Sequence, residues 1–245
     1  MEINPIVAAS AAVPATEISE AQIAANRETV NSLLRSVNRA GMEAFITWLN
    51  STDFFTAPAS TKYHNSCKGG LCQHTLNVYY WLEKFVTAFP QWLQPFPAYT
   101  RETAIIAALL HDLAKVDFYV PTYKNKKVYC PNGSKWDAGG NFEWQSVVGY
   151  ECSDEEMPLP HAEKSMVMAM MRLPLTEDER YAIRWHMGFT EPEEHRNVLR
   201  RATEDYPLVL LLQMADNAAT YFMESSSDEH RAPWKTAQPS TINTQ

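Results

Sequence analysis

The sequence predicts an all-α protein that contains one small β-insertion. Stretches on both sides of the chain's centre repeat apolar residues every three or four positions, which is the spacing of one helical face. Residues 118–158 instead alternate short β-prone pieces with turn residues. The chain of 245 residues is long enough for one substantial domain with tails or for two small domains. We expect this domain at residues 18–224, between a flexible leader at 1–17 and a disordered, polar tail at 225–245.

Four helices are expected before the insertion. The apolar spacing places them from Ile18 to before Gly41, over 42–49, from Leu71 up to Pro90, Pro95 and Pro97, and over 101–115. Residues 52–70, which end in a Gly-Gly pair, are expected to form a loop. The fourth helix is apolar on all sides, so we expect it at the centre of the core.

The insertion and the later helices have separate signals. Two or three strands are predicted within 118–158. The β-prone pieces that predict them are Tyr119-Val120, Thr122-Tyr123, Val128-Tyr129 and Phe142-Glu143-Trp144. Helices resume at His161 and at Thr176, where Glu179 completes a capping box. A last helix begins at Pro207 and is expected to reach Tyr221.

Charge and cysteine content limit the classes of function. A formal net charge of −8 disfavours general duplex-DNA binding, which depends on neutralising phosphates. No segment is typical of a membrane span or of a secretory signal, so we expect no membrane partner. The four cysteines are expected to be reduced thiols, which favours a cytoplasmic setting, and a zinc cluster built on Cys67 and Cys72 is the alternative.

Two carboxylates occur where apolar residues are expected. Asp112 follows the most apolar run of the chain, and Asp216 follows Leu210-Leu211-Leu212-Gln213-Met214-Ala215. A buried carboxylate costs several kcal/mol unless it is paired or bound to a metal. An ion pair between Asp112 and Lys115, three positions later, is the alternative to a metal.

Histidines accompany these carboxylates in the helical segments. His74 shares an apolar helical face, His111 precedes Asp112, and His161 and His186 lie at helix ends. A lone histidine on an apolar face is more often a hydrogen-bonded core residue, but neutral imidazoles together with carboxylates are the usual ligands of divalent metals. His64, a loop residue ten positions before His74, is close enough to reach the same cleft.

Two motifs resemble the HD-domain superfamily of metal-dependent phosphohydrolases. They are Gly-Gly-Leu-x-x-His at 69–74 and His-Asp-x-x-Lys at 111–115, and the resemblance covers about residues 61–223. It implies an HD-domain helical bundle, with primary metal ligands at His74, His111, Asp112 and Asp216. It also implies that His161 and His186 complete a second metal site or contact phosphate, and that Lys115 contacts the substrate phosphate.

These residues predict a phosphohydrolase that acts on a nucleotide or another small phosphoester, with one or two divalent ions chosen from Mn, Fe, Co, Ni and Zn. Lys115 is expected to hold a phosphate oxygen, with His64 and Lys124 also contacting the substrate. His161 or His186 is expected to bind a second ion or to protonate the leaving oxygen.

Two other functions remain open at this point. A single-strand 3′–5′ exonuclease needs a basic track with stacking aromatic residues, which the insertion could supply with Lys124, Lys126, Lys127, Tyr123, Tyr129 and Trp136. The alternative is that these aromatic residues pack against the helices and that the lysines form a solvated hairpin. The third hypothesis is a metal or nucleotide sensor without turnover.

Overall fold

A computed structural model describes residues 17–88, 100–153 and 157–224. Within these residues the helices are α1 (Glu20–Arg35), α2 (Met42–Ser51), α3 (Gly70–Ala88), α4 (Arg101–Leu110), α5 (His161–Met170), α6 (Glu177–Trp185), α7 (Arg196–Asp205) and α8 (Pro207–Ala218). The strands are β1 (Tyr119–Tyr129), β2 (Lys135–Asp137) and β3 (Gly140–Cys152). The mainly helical fold with one small sheet is confirmed. Some features of the sequence lie outside the described residues. They are residues 1–16 of the expected leader, the prolines after α3, the acidic residues at 154–156 and the tail.

The N-terminal helices form one side of the core. The hydroxyl of Ser19 accepts the backbone N–H of Gln22 at 3.2 Å and so begins α1. The apolar face of α1 then packs on α2, α3 and α4. Gly69 has φ +81°, and the carbonyl of Asn65 lies where a Cβ of Gly70 would be. The Gly-Gly pair therefore allows the loop at 52–69 to pack closely against the start of α3.

Helix α4 is the central helix, but it is shorter than expected. Thr100 caps its N-terminus, and every residue from Thr103 to Leu110 is buried. The α-helix ends at Leu110 instead of continuing to Lys115. Asp112 has left the helical conformation (φ −105°, ψ 21°), and its carbonyl accepts the N–H of Lys115 in a tight 3₁₀ turn. The His-Asp pair therefore lies at the end of the apolar helix, not inside it.

The insertion is a three-stranded antiparallel sheet of order β1-β3-β2. The expected short pieces on the first strand are joined into one strand of 11 residues, with Asn125 paired to Ser146. Pro121 is tolerated there because β1 is an edge strand. The alternative that the aromatic residues pack against the helices is wrong for Tyr123, Tyr129 and Trp136, whose side chains are exposed.

The C-terminal helices close the core from the other side. Thr176 and Glu179 form the expected capping box at the start of α6, and the buried Glu179 also binds Arg39 in the turn between α1 and α2. Helix α8 packs on α3 and α6. It ends at Ala218, earlier than expected, and continues as a π-helical turn at Ala219–Glu224. No described helix is both long and apolar enough to cross a membrane.

Candidate metal centre

Four side chains from three segments meet at one buried point. Nε2 of His74 lies 3.3 Å from Nε2 of His111, 3.4 Å from Oδ2 of Asp112 and 3.3 Å from Oδ1 of Asp216. Oδ2 of Asp112 is also 3.4 Å from Nε2 of His111. These are the four residues that the resemblance implies as primary metal ligands, and the fold brings their donor atoms together.

Helix packing explains this convergence. His74 lies one turn into α3, and α3 packs against both α4 and α8. The end of α4 supplies His111 and Asp112, and the last turn of α8 supplies Asp216. Because each residue comes from a buried stretch of helix or from its end, the apolar core that joins the helices also holds the polar centre in place.

Hydrogen bonds on the far side of two rings determine which nitrogen faces the centre. Nδ1 of His111 contacts the carbonyl of Ala108 at 2.9 Å, and Nδ1 of His186 contacts the carbonyl of Ile183 at 2.7 Å. A carbonyl oxygen can only accept, so Nδ1 of each ring is the protonated nitrogen. When such a ring carries one proton, its Nε2 presents a lone pair to the centre, which is what a metal requires.

Asp112 joins the four central residues to two further histidines. Its Oδ2 atom faces His74 and His111, while its Oδ1 atom lies 2.7 Å from Nε2 of His161 and 3.7 Å from Nε2 of His186. Donor atoms of His111, Asp112 and His186 lie within 4.8 Å of one another, as do those of His74, His111 and Asp216. The arrangement therefore offers two adjacent donor sets that share His111.

Glu224 is a member of the cluster that the sequence prediction missed. Its carboxylate lies 2.9 Å from Nδ1 of His74 and accepts a hydrogen bond from the amide of Asn77 at 2.8 Å. The residue is buried, and the π-helical turn after α8 brings it to this position. The one available signal was its place eight residues after Asp216, which is the spacing of one helical face.

His64 also reaches the cluster, as the sequence indicated. Its ring centroid lies 4.9 Å from that of His74, and donor atoms of His64, His74 and Glu224 lie within 4.8 Å of one another. Nε2 of His64 is buried and has no hydrogen-bond partner within the described part of the chain. Burial, followed by the positive charges of His74 and Lys115, lowers the pKa of His64 to about 4, so its ring is neutral.

The two lysines expected to contact substrate differ in position. Nζ of Lys115 lies 2.7 Å from Oδ2 of Asp112, so the expected alternative of an ion pair is present, and Lys115 also lines the cavity. Nζ of Lys124 instead donates to the carbonyl of Tyr150 at 2.6 Å, and Lys124 does not line the cavity. It lies five residues beyond Tyr119, about 17 Å along the strand. The expected contact between Lys124 and a substrate in the cavity is therefore not supported.

The charges of the cluster fit a divalent cation. Burial would raise the pKa of Asp112, but Lys115 and His111 hold it well below its usual range, and the pKa of Glu224 is likewise lowered, mainly by His74. Burial would lower the pKa of His74, but Glu224 and Asp216 raise it to about 10. The carboxylates of Asp112, Asp216 and Glu224 exceed the ammonium of Lys115 by two negative charges. A divalent ion neutralises this excess and leaves His74 neutral.

The centre opens into a cavity of about 360 Å³. Its wall contains candidate ligands together with residues of the loop at 52–69 and of the sheet, namely Ala59, Ser60, Thr61, Tyr63, His64, His74, Asp112, Lys115, Tyr119, Cys152, His161, His186, Met187, Asp216 and Thr220. The first residue of β1 and the last residue of β3 belong to this wall. The β-insertion therefore begins and ends at the cavity wall.

The cysteines form no second metal site within the described residues. Cys67, Cys72, Cys130 and Cys152 are free thiols. Cys72 is fully buried in the core, and burial raises its thiol pKa. The groups of side chains with metal-ligand spacing contain histidines and carboxylates but no cysteine, which excludes the zinc cluster on Cys67 and Cys72 from the described part of the chain.

Comparisons with family models, with curated protein sequences and with solved structures find no match to this chain. The geometry of the centre is therefore the basis for any statement about function.

Proposed function

We propose that the protein is a divalent-metal-dependent phosphohydrolase of the HD-domain type that acts on a nucleotide or another phosphoester. The observation that carries the proposal is the convergence of His74, His111, Asp112 and Asp216 beside a cavity lined by Lys115. Imidazole nitrogens and carboxylate oxygens form the donor set of Mn, Fe, Co, Ni and Zn, so the residues fit such an ion. When bound, the metal supplies a water of lowered pKa and neutralises phosphate charge.

The surrounding residues suggest how the ions are held. The first ion would be held by His74, His111, Asp112 and Asp216. His186 is buried and holds its Nδ1 against a carbonyl, so with the second oxygen of Asp112 it would serve as a ligand for a second ion. The ring of His74 is held in place between the neutral imidazole of His64 and the carboxylate of Glu224.

The remaining polar groups act on the substrate. Lys115 lines the cavity, and its ammonium neutralises a non-bridging phosphate oxygen. The oxygen of a water molecule forms a bond to phosphorus and releases a proton to solvent, while the bond between phosphorus and the ester oxygen breaks. His161, whose side chain is about a third exposed at the cavity wall, gives a proton to that leaving oxygen.

The proposal is tested by loading the purified chain separately with Mn, Fe, Co, Ni and Zn. Each form is assayed against bis(p-nitrophenyl) phosphate, a panel of nucleotides and single-stranded oligonucleotides. We expect phosphate-ester hydrolysis with at least one metal and its loss with EDTA. If the protein binds metal at this centre and hydrolyses none of these substrates, the proposal of an enzyme is overturned and a metal sensor is favoured.

A further inference from the structure

One face of the β-sheet is rich in aromatic residues. Alternate residues of a strand lie on the same face, and directly paired residues of neighbouring strands share it. The register pairs Tyr123 with Val148, Lys127 with Trp144 and Tyr129 with Phe142. The residues on this face, which we call the aromatic face, include Tyr119, Tyr123, Tyr129, Phe142, Trp144 and Tyr150.

The aromatic face begins at the candidate metal centre. Tyr119 and its cross-strand partner Cys152 both line the cavity. From there β1 continues for ten residues to Tyr129, which is about 33 Å of extended strand. A single nucleotide in the cavity would leave most of this length unused, whereas a chain of several nucleotides would extend along it.

Large rings on this face are exposed to solvent. Tyr123 is 81% exposed and Trp144 is 52% exposed. The rings of Trp144, Phe142 and Tyr129 form a connected group with centroid separations of 6.1 and 6.0 Å. Flat rings that are open on one side are the surfaces on which nucleic-acid bases stack, and each base has a π-face for such a contact.

The aromatic face is not a basic track, because Lys124 and Lys126 lie on the opposite face, but near the cavity it has no charge that would repel a polyanion. Between the cavity and Trp144 this face has no carboxylate on β1 or β3, because Glu143 and Glu151 lie on the opposite face. Lys127 lies on the aromatic face, with its ammonium 4.0 Å from the centre of the Phe142 ring and paired with Asp137. Phosphates can therefore pass along the strand without meeting a negative side chain before Asp137.

We propose that the aromatic face binds single-stranded nucleic acid and leads it from Trp144 towards the cavity beside Tyr119. Tyr123 and Trp144 stack against bases. This assigns a substrate class to the proposed enzyme, and hydrolysis of the bound strand rests on the proposed function. Binding of the nucleic-acid strand does not rest on the proposed function, because binding requires only the sheet.

A matched pair of variants tests the aromatic face. Tyr123→Ala/Trp144→Ala removes two exposed rings from it. Trp136→Ala removes a ring that is 74% exposed from the opposite face, since Trp136 pairs with Asn141. Binding of fluorescein-labelled dT12 and U12 is measured by anisotropy on the full chain in EDTA, with dT2 as a short probe.

We expect the wild type to bind at least one dodecamer at least tenfold more tightly than dT2. The double variant should lose at least about tenfold in dodecamer affinity. The dodecamer affinity of Trp136→Ala should stay within about twofold of that of the wild type. The inference is overturned if dT2 binds as well as both dodecamers, or if both variants weaken binding equally. It is also overturned if the double variant only abolishes self-association in sedimentation experiments, because the face would then bind a second copy.

Hydrolysis separates this inference from the proposed function. Wild type that cleaves bis(p-nitrophenyl) phosphate with metal but does not bind the dodecamers contradicts the inference alone. Wild type that binds dodecamers in EDTA but cleaves no phosphoester with any metal contradicts the enzyme alone. If both proposals hold, the double variant should lose turnover of the bound dodecamer at low concentration and keep its activity on the small ester.

Discussion

Glu224 holds His74 from the side of the ring that faces away from the centre. Its Oε2 atom lies 2.9 Å from Nδ1 of His74, while Nε2 of the same ring lies 3.3 Å from Asp216. Asn77, one turn after His74 on α3, fixes the carboxylate by donating to its other oxygen at 2.8 Å. A carboxylate in this position orients a ligating imidazole and increases its basicity.

We expect Glu224→Gln to weaken metal binding by about 10- to 100-fold, because the amide is a weaker acceptor for the Nδ1 proton of His74. Isothermal titration of the metal-free protein with Mn or Zn measures this change. Glu28→Gln, an exposed change on α1, is the matched control and should leave the affinity unchanged. Equal affinities for the wild type and Glu224→Gln would show that Glu224 does not support the ligand.

Variants of Asp112 and Lys115 should distinguish metal binding from turnover. We expect Asp112→Ala to lose both the metal and hydrolysis, because the residue offers both oxygens to the donor sets. Lys115→Ala should keep the metal and lose activity, since its proposed partner is the phosphate. Metal content by mass spectrometry and turnover of bis(p-nitrophenyl) phosphate are measured together.

Lys84→Ala, an exposed lysine of α3, is the control for this pair. Thermal unfolding is recorded for each variant, so that a loss of metal is not mistaken for a loss of fold. Full activity of Lys115→Ala would remove this lysine from the proposed reaction.

Asp53 and Asp117 should give a pH dependence of stability that is unrelated to metal. Each carboxylate accepts the backbone N–H of the other residue, at 2.7 and 3.1 Å. Burial, aided by the charge of Asp117, raises the pKa of Asp53 from 3.8 to about 6. The folded state then binds a proton more tightly than the unfolded chain, so this contribution to stability is present below pH 4 and is lost as pH rises to about 6.

We expect Asp53→Asn to be about 1 kcal/mol more stable than the wild type at pH 7, a value reduced for the partial exposure of the side chain. The amide keeps an oxygen that accepts the N–H of Asp117 and removes the repulsion between the carboxylates. Urea unfolding at pH 4 and pH 7 measures the difference, which should nearly vanish at pH 4. A stability difference that is the same at pH 4 and pH 7 would contradict the raised pKa of Asp53.

Glu179 should be a major determinant of stability. It is buried, binds Arg39 through both carboxylate oxygens at 2.5 and 2.8 Å, and accepts the N–H of Thr176 in the capping box. We expect Glu179→Ala to cost about 3–5 kcal/mol, because it leaves the guanidinium of Arg39 unpaired. Thr176→Ala removes only the other half of the box and should cost about 1 kcal/mol. Equal losses in urea unfolding would mean that the ion pair adds nothing.

The sequence alone predicted the elements whose signals are local. Apolar spacing located α1 to α4, the Thr176 capping box located α6, and turn residues marked the insertion. It also identified candidate ligands such as His74, Asp112 and Asp216, because a polar group in an apolar helical stretch requires a compensating partner wherever the helix packs. These inferences depend on residue type and on spacing of a few positions, which the sequence contains directly.

Only the tertiary structure decided the relationships between distant segments. The contact between Glu224 and His74 joins residues 150 positions apart, and it depends on a π-helical turn that no spacing indicated. The exposure of Tyr123 and Trp144 depends on whether helices cover the sheet, since a strand has the same alternation when it is packed and when it is solvated. The 3₁₀ turn that directs Asp112 towards two sets of histidines likewise reflects the packing of α3, α4 and α8, because helix propensities of single residues are too weak to resist it.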